Sequence, residues 1–368
     1  MVAFAAHAPR ASANARARAN STVARDNTVR RRAGGTRVTS LRRPATRART
    51  IETAARDRTA MIARASGASD VASADRSVAK PTANGENSFS GMDGTEWFSR
   101  NFSEQGRKFS EVFPVRYAET GPNGEATMVT IADLIQECAC NHAQGIWGVG
   151  QSMPAEMAKG HLAWVCTRLH LCVRKYPKWG EKMEVSTWFE PQGKIAARRD
   201  YSITDESGVQ IGEATSQWVV LNLNTRRMAR IPNSVLEDFK YQALERQVME
   251  EGYASDKLAD VTEIAADQCV SPITHHVRRN DMDMNGHVNN VVYVQWILES
   301  VPQETWNGRA LQEIILEYRS ECNFGECITA TCCEVEEQSD SYVLLHKLAR
   351  GDDEIVRAKT VWTKQKTS

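Results

Sequence analysis

Apolar and polar positions begin to follow secondary-structure periods near Phe109, where residues 108–117 have the composition of a strand. A helical run follows at 130–146, with Ile131, Leu134, Ile135, Cys138 and His142 recurring every three or four residues. Strand-like segments then occupy 162–173, 182–189, 196–204 and 213–223. Turn signals separate them at Tyr176-Pro177, Pro191-Gln192-Gly193 and 205–208. A polar helical stretch at 233–251 leads into a second unit that starts near Ser271 and keeps the same order. It has a strand at 273–278, a helix at 289–300, and strands at 313–319, 327–335, 342–349 and 355–364.

The two units also share residues. Ile211-x-x-Ala214-x-Ser216-x-Trp218 recurs as Ile355-x-x-Ala358-x-Thr360-x-Trp362, and Gly180-Glu181 recurs as Gly325-Glu326, at offsets of 144 and 145 positions. A stride of two at Ala, Ser/Thr and Trp fits one face of a strand, and two matches at nearly one offset indicate a duplicated domain. One helix with an antiparallel sheet, occurring twice, is an α+β architecture. The chain divides into an N-terminal segment (1–65), a linker rich in small and polar residues (66–105), a first folded unit (106–232), a connection with a helix (233–270) and a second unit (271–368).

Charge changes the picture at the N-terminus. The 46 basic and 46 acidic residues cancel, but residues 1–65 hold 15 arginines, no lysine and three acids, Asp26, Glu52 and Asp57. Arg-rich, Ser-rich and acid-poor is the composition of an organelle transit peptide, so this segment is set apart from the fold. By difference (0 − 12) the remainder carries a net charge of −12. A nucleic-acid-binding arm fits less well, because these arginines are scattered among Ala and Ser without aromatic partners for stacking. No apolar run is long enough for a transmembrane helix. The nine cysteines are odd in number, and Cys138/Cys140 and Cys332/Cys333 are too close for C-x-x-C pairs. Reduced thiols are therefore expected rather than disulfides, with no metal site.

The densest polar cluster runs from Arg278 through Asp283, Asn285 and His287 to Asn290, between a strand and an apolar helix. Stride-two spacing in an extended segment would aim Asp283, Asn285 and His287 to one side, and the helix N–H groups beyond would be free to hold an oxyanion. A histidine oriented by a carboxylate is a general base near neutral pH. Capping of the following helix explains the same Asp and Asn residues without any chemistry. A metal reading, with His275, His276, His287 and Asp283 as ligands, fails on geometry, because adjacent histidines in a strand point to opposite faces.

The run Asp283-Met284-Asn285-Gly286-His287-Val288-Asn289-Asn290, continuing through Tyr293, Trp296 and Glu299, resembles the central motif of the plant and algal acyl-[acyl carrier protein] thioesterases, the FatA and FatB types. Leu316-Glu317-Tyr318-Arg319-Ser320-Glu321-Cys322 is similar to that family's second active-site segment. In the first unit Asn141-His142-Ala143-Gln144, Tyr176-Pro177-x-Trp179-Gly180, Arg198-Arg199-Asp200 and Asn224-Thr225-Arg226-Arg227 match as well, so the resemblance runs collinearly from about residue 109 to 363. It implies a tandem hot-dog fold, hydrolysis of long-chain acyl-[acyl carrier protein], and a plastid-stromal location. Asp283, Asn285, His287 and Glu321 would form the catalytic network, with water or a carboxylate attacking. Cys322 stands where the family has a cysteine once proposed as nucleophile, and a thiol in an apolar strand is usually inert.

This sequence departs from the usual pattern at Gly286, commonly Gln, and at Ser320, commonly Arg. The first unit lacks the acid–Asn–His cluster at its matching positions, taken as 124–130. Its helix residues Ile131, Leu134, Ile135 and Cys138 would wall the acyl chain or simply pack the core. The implied partner is acyl carrier protein with its phosphopantetheine-linked acyl chain. Arg198, Arg199, Arg226, Arg227, Arg230, Arg278 and Arg279 are candidate docking cations for that acidic partner. No cofactor is implied, and a homodimer is compatible with the resemblance. A hot-dog dehydratase or hydratase, or a non-catalytic acyl-thioester binding protein, is the competing expectation.

Overall fold

The computed structural model describes residues 100–249, 257–264, 266–337 and 341–364. The basic segment 1–65 and most of the expected linker lie outside the described residues. In chain order the elements are β1 (Arg100–Ser103), β2 (Lys108–Pro114), α1 (Met128–Trp147), α2 (Ala155–Lys159), β3 (Leu162–Val173), β4 (Lys182–Gln192), β5 (Ala196–Asp205), β6 (Gln210–Asn222), β7 (Arg227–Met228) and α3 (Asn233–Gln242). They continue with β8 (Ile273–His276), α4 (Asn290–Glu299), α5 (Gln303–Gly308), β9 (Arg309–Tyr318), β10 (Cys327–Glu337), β11 (Ser341–Arg350) and β12 (Asp353–Lys364).

Among the described residues there is one antiparallel sheet in the order β1-β2-β4-β5-β6-β3-β9-β12-β11-β10-β8, with β7 paired to β6. Read outward from the middle, β3-β6-β5-β4-β2 and β9-β12-β11-β10-β8 are the same sequence of strands. The expected duplication is therefore built as two hot-dog halves sharing a sheet. Their seam pairs Leu169 with Leu316 and Leu171 with Ile314. The shared residue pattern has a structural counterpart too. Trp218 Nε1 donates to Ser216 Oγ at 2.8 Å, and Trp362 Nε1 donates to Thr360 Oγ1 at 2.8 Å. Gly180 and Gly325 both take φ +84°.

Each helix is set by its ends and by one apolar face. Thr127 caps α1 by accepting from Thr130 N, and Gly148, at φ +103°, ends it with an N–H to Gln144 O. The buried residues of α1 pack on β2 and β4 and against α4. Tyr293 and Ile297 of α4 are fully buried, each contributing about 1.5–3 kcal/mol by burial.

Three sequence expectations need correction. β1 lies inside the segment expected to be linker and pairs with β2 from Arg100↔Glu111 to Ser103↔Lys108. The connecting helix stops at Gln242, because the chain turns extended at Ala243 and is held along β4 by Leu244 N to Phe189 O. Cys269 and Cys333 form a disulfide rather than free thiols. They are directly opposed across an antiparallel bridge, an arrangement that a sequence separation of 64 conceals.

Candidate active site

The loop before α4 is assembled from backbone outward. Residues 279–281 form a short 3-10 turn, closed by Asp281, whose carboxylate accepts from Arg278 N at 2.6 Å and from its guanidinium at 2.9 Å. A second, tighter turn follows. Asp283 N donates to His287 O at 2.8 Å and Gly286 N to Asp283 O at 3.0 Å, with Gly286 at φ +80°. The segment is therefore a turn and not the extended run expected from stride-two spacing. The Asp283 carboxylate serves it, accepting from Asn285 N at 2.8 Å, Asn285 Nδ2 at 2.9 Å and His287 N at 3.4 Å.

Helix capping is done by another residue. Asn289 Oδ1 accepts from Val291 N at 2.9 Å, which frees Asp283 and Asn285 from that role. The same arrangement corrects the expected oxyanion donors. Val288 N donates to Cys322 O, Asn289 N to Asp281 O, and Val291 N to its cap, so these N–H groups are already used.

Glu321 arrives from the segment after β9, where Arg319 N and Ser320 N both donate to Ile355 O. Its Oε2 lies 3.1 Å from His287 Nε2, and its Oε1 accepts from Arg226 Nη2 at 2.7 Å. The His287 and Glu321 side chains are 23% and 15% exposed, so the pair sits at a rim that substrate can reach. Cys322 faces inward. It is fully buried, its N–H donates to Tyr293 Oη at 3.1 Å, and burial pushes its thiol up to about 12.

The first half repeats this backbone with different side chains. Gly121 N donates to Glu125 O, Gly124 N to Gly121 O, and Ala126 N to Pro177 O, as Asp283, Gly286 and Val288 do in the second half. Gly124 has φ +75°. Gly121, Asn123 and Glu125 thus stand where the second half has Asp283, Asn285 and His287, and the matching run is 121–125 rather than 124–130. Tyr176, in the place of Glu321, donates to Leu311 O of the other half at 2.9 Å. One of the two sites has the acid–Asn–His–Glu set.

The family model for the acyl-ACP thioesterase N-terminal domain matches residues 106–239, and that for the C-terminal domain matches 265–364. The chain belongs to the acyl-ACP thioesterase family. It is 38% identical over 289 residues to an oleoyl-acyl carrier protein thioesterase of Arabidopsis thaliana, covering 73% of this chain and 79% of the relative. A dodecanoyl-[acyl-carrier-protein] hydrolase of Cinnamomum camphora is 34% identical over 269 residues, covering 71% and 69%. The solved 12:0-ACP thioesterase of Umbellularia californica superposes with a TM-score of 0.65 at 29% identity, over 71% of this chain and 95% of that one. The plant relatives are named chloroplastic, which places this family member in a plastid.

The remaining candidate residues of this thioesterase fall into clear environments. Ile131, Leu134, Ile135 and Cys138 are all in the main core, with Cys138 Sγ on Val185 O. A small cavity, partly open to solvent, lies at the other end of α1 between Trp147, Trp164, Phe189 and Phe239.

Arg198 and Arg199 are corrected as docking cations, since both are 7% exposed. Arg198 pairs with Asp200 at 2.8 Å, and Arg199 Nη1 donates to His142 Nδ1 at 2.9 Å. As neighbours in β5 they point to opposite faces of the sheet, and each face is covered, which the basic dipeptide alone does not reveal. Arg227, Arg230, Arg278 and Arg279 are exposed, Arg279 lying over the Phe324 ring. Arg226 was missed as a partner of Glu321, because 95 residues separate the two.

His275 stacks on Trp296 and His276 contacts Cys327, away from His287. At the seam, His170, Cys172 and Glu313 converge within 4.8 Å. Burial, then Glu313 and Glu213, push the Cys172 thiol up to about 12, so it is protonated. His170 Nε2 lies 3.1 Å from Glu313 Oε1, a contact that joins β3 to β9.

Proposed function

We propose that this thioesterase hydrolyses long-chain acyl-[acyl carrier protein] to free fatty acid and carrier protein in the plastid stroma. The observation that carries the reading is the His287–Glu321 pair, 3.1 Å apart at an accessible rim, in the half that has the full polar set. His287 and Glu321 hold a water and take its proton as its oxygen attacks the thioester carbonyl carbon. Asn285, whose Nδ2 has a second proton beyond the one given to Asp283, donates to the developing oxyanion. Asp283 orients Asn285 and shapes the turn. Collapse of the tetrahedral intermediate breaks the C–S bond, and the proton returns to the leaving thiolate.

The acyl chain runs towards α1, with Ile131, Leu134, Ile135 and Cys138 forming the wall behind it. Exposed Arg227, Arg230, Arg278 and Arg279 supply positive charge for the acidic carrier on an otherwise acidic chain. A homodimer is compatible with this reading and is not required by it, because one chain already holds both halves.

The test is release of fatty acid and thiol from acyl-[acyl carrier protein] by the chain lacking residues 1–65. His287→Ala should lower kcat at least a hundredfold. Full activity in that variant overturns the mechanism. Reversible hydration of an enoyl chain without thiol release would establish a hydratase instead.

A further inference from the structure

We propose that Arg226, contributed by the first half, is a positioning residue for the Glu321 carboxylate in the second. This rests on the hydrolytic reading above. The two carboxylate oxygens are divided between two partners. Oε1 accepts from Arg226 Nη2 at 2.7 Å, and Oε2 faces His287 Nε2 at 3.1 Å. A carboxylate free at both oxygens rotates and offers either one to solvent. With Oε1 held, Oε2 keeps one direction relative to the imidazole, as preorganised catalysis requires.

The second half does not provide this hold itself. Ser320, next to Glu321, is neutral. The Arg319 guanidinium lies on Glu317 and Glu354 at 2.9 and 3.3 Å. The Arg350 guanidinium lies on Glu326 at 2.8 Å and reaches the Glu321 backbone carbonyl at 3.4 Å.

The turn carrying Arg226 is built to present it. Arg226 has φ +58°, a left-handed conformation that is strained for a non-glycine residue. Asn222 holds that conformation, its carbonyl accepting from Arg226 N at 2.8 Å and its Oδ1 from Asn224 N and Thr225 N at 3.1 and 2.9 Å. Asn222 Nδ2 then ties the turn to Gly160 O at 3.3 Å. The guanidinium is half exposed while its carboxylate partner is 15% exposed, so the pair is shielded where it bears on Glu321.

A docking cation for the carrier protein would look similar on the surface, and kinetics separate the two roles. Positioning predicts that Arg226→Met lowers kcat by about tenfold to a hundredfold with KM changed less than threefold. The loss should be equal on acyl-[acyl carrier protein] and on acyl-pantetheine, which has no carrier protein. Arg226→Lys should recover part of it, and Arg226→Met should add nothing in a Glu321→Gln background. Arg226→Gly, which relieves the left-handed strain, should show the same loss and guards against a folding artefact. Met228→Gln, exposed beside the same turn, serves as the neighbouring control.

A rise in KM confined to the carrier substrate, with acyl-pantetheine hydrolysis unchanged, overturns the proposal in favour of docking. Full additivity with Glu321→Gln also overturns it. If the wild-type chain and His287→Ala are equally inert on every thioester, the hydrolytic reading fails instead.

Discussion

Replacing Cys322 with serine separates attack by water from attack by sulfur. Burial, the largest influence on this thiol, pushes it up to about 12. At pH 7.5 the thiolate fraction is then about 3 in 100,000, and forming it costs about 6 kcal/mol before any chemistry begins. Cys322 is also fully buried, with its backbone N–H donating to Tyr293 Oη and its thiol bonded to the same hydroxyl. Serine keeps the volume to within a small change and leaves that N–H in place. Cys322→Ser should therefore hydrolyse acyl-[acyl carrier protein] within about fivefold of wild type. Free fatty acid measured by mass spectrometry gives the rate, and thermal unfolding verifies the fold. A loss above a thousandfold at an unchanged unfolding midpoint, with an acyl group trapped on the wild-type Cys322 peptide, would refute the reasoning.

Acid should destabilise the fold through two buried histidines. Burial lowers His346 to about 3 and, with Arg199, also lowers His142. Below the unfolded value of about 6.5 the unfolded chain takes up protons that the native imidazoles refuse, so this stability is intact at neutral pH and lost as pH falls from 6.5 towards 3. Urea unfolding should show a loss of about 2 kcal/mol from His346 between pH 7 and 5, with a further loss in the same direction from His142, and a flat profile would contradict it. Gly286→Ala should cost about 1 kcal/mol in chemical denaturation, from φ +80° alone, because an added Cβ meets nothing within 4 Å. A loss well above that would mean the turn is packed more tightly than described. Peptide mapping without reductant should recover Cys269 linked to Cys333. Reducing this 64-residue loop closure should lower stability by up to about 4 kcal/mol, and an unchanged unfolding midpoint would count against the bond.

Elements with strong periodicity were legible in the chain. The strand at 162–173 is recovered to the residue, and α1 is found to within two residues. Local period carries that information, as the repeated Ala–Ser/Thr–Trp face carries the duplication. The Asp283–His287 cluster was legible because it is contiguous, yet its conformation was not, since Gly286 at positive φ converts an alternating pattern into a turn. The competing explanation by helix capping is decided by Asn289, a residue that sequence alone does not distinguish from its neighbours. What stayed hidden depends on distant partners. Arg198 and Arg199 read as surface cations until β5 turns them onto Asp200 and His142. Arg226 meets Glu321, and Cys269 meets Cys333, only once separate strands are aligned.

The seam between β3 and β9 gives both sides the same strand order within a single polypeptide. Two identical chains meeting at such a seam would have to accept every substitution twice, once in each copy. A fused chain accepts it once. Tyr176 can therefore bond across the seam in the position where its counterpart is a carboxylate, and α1 can be twice as long as α4. Each half can be altered for its own task without disturbing the chemistry of the other.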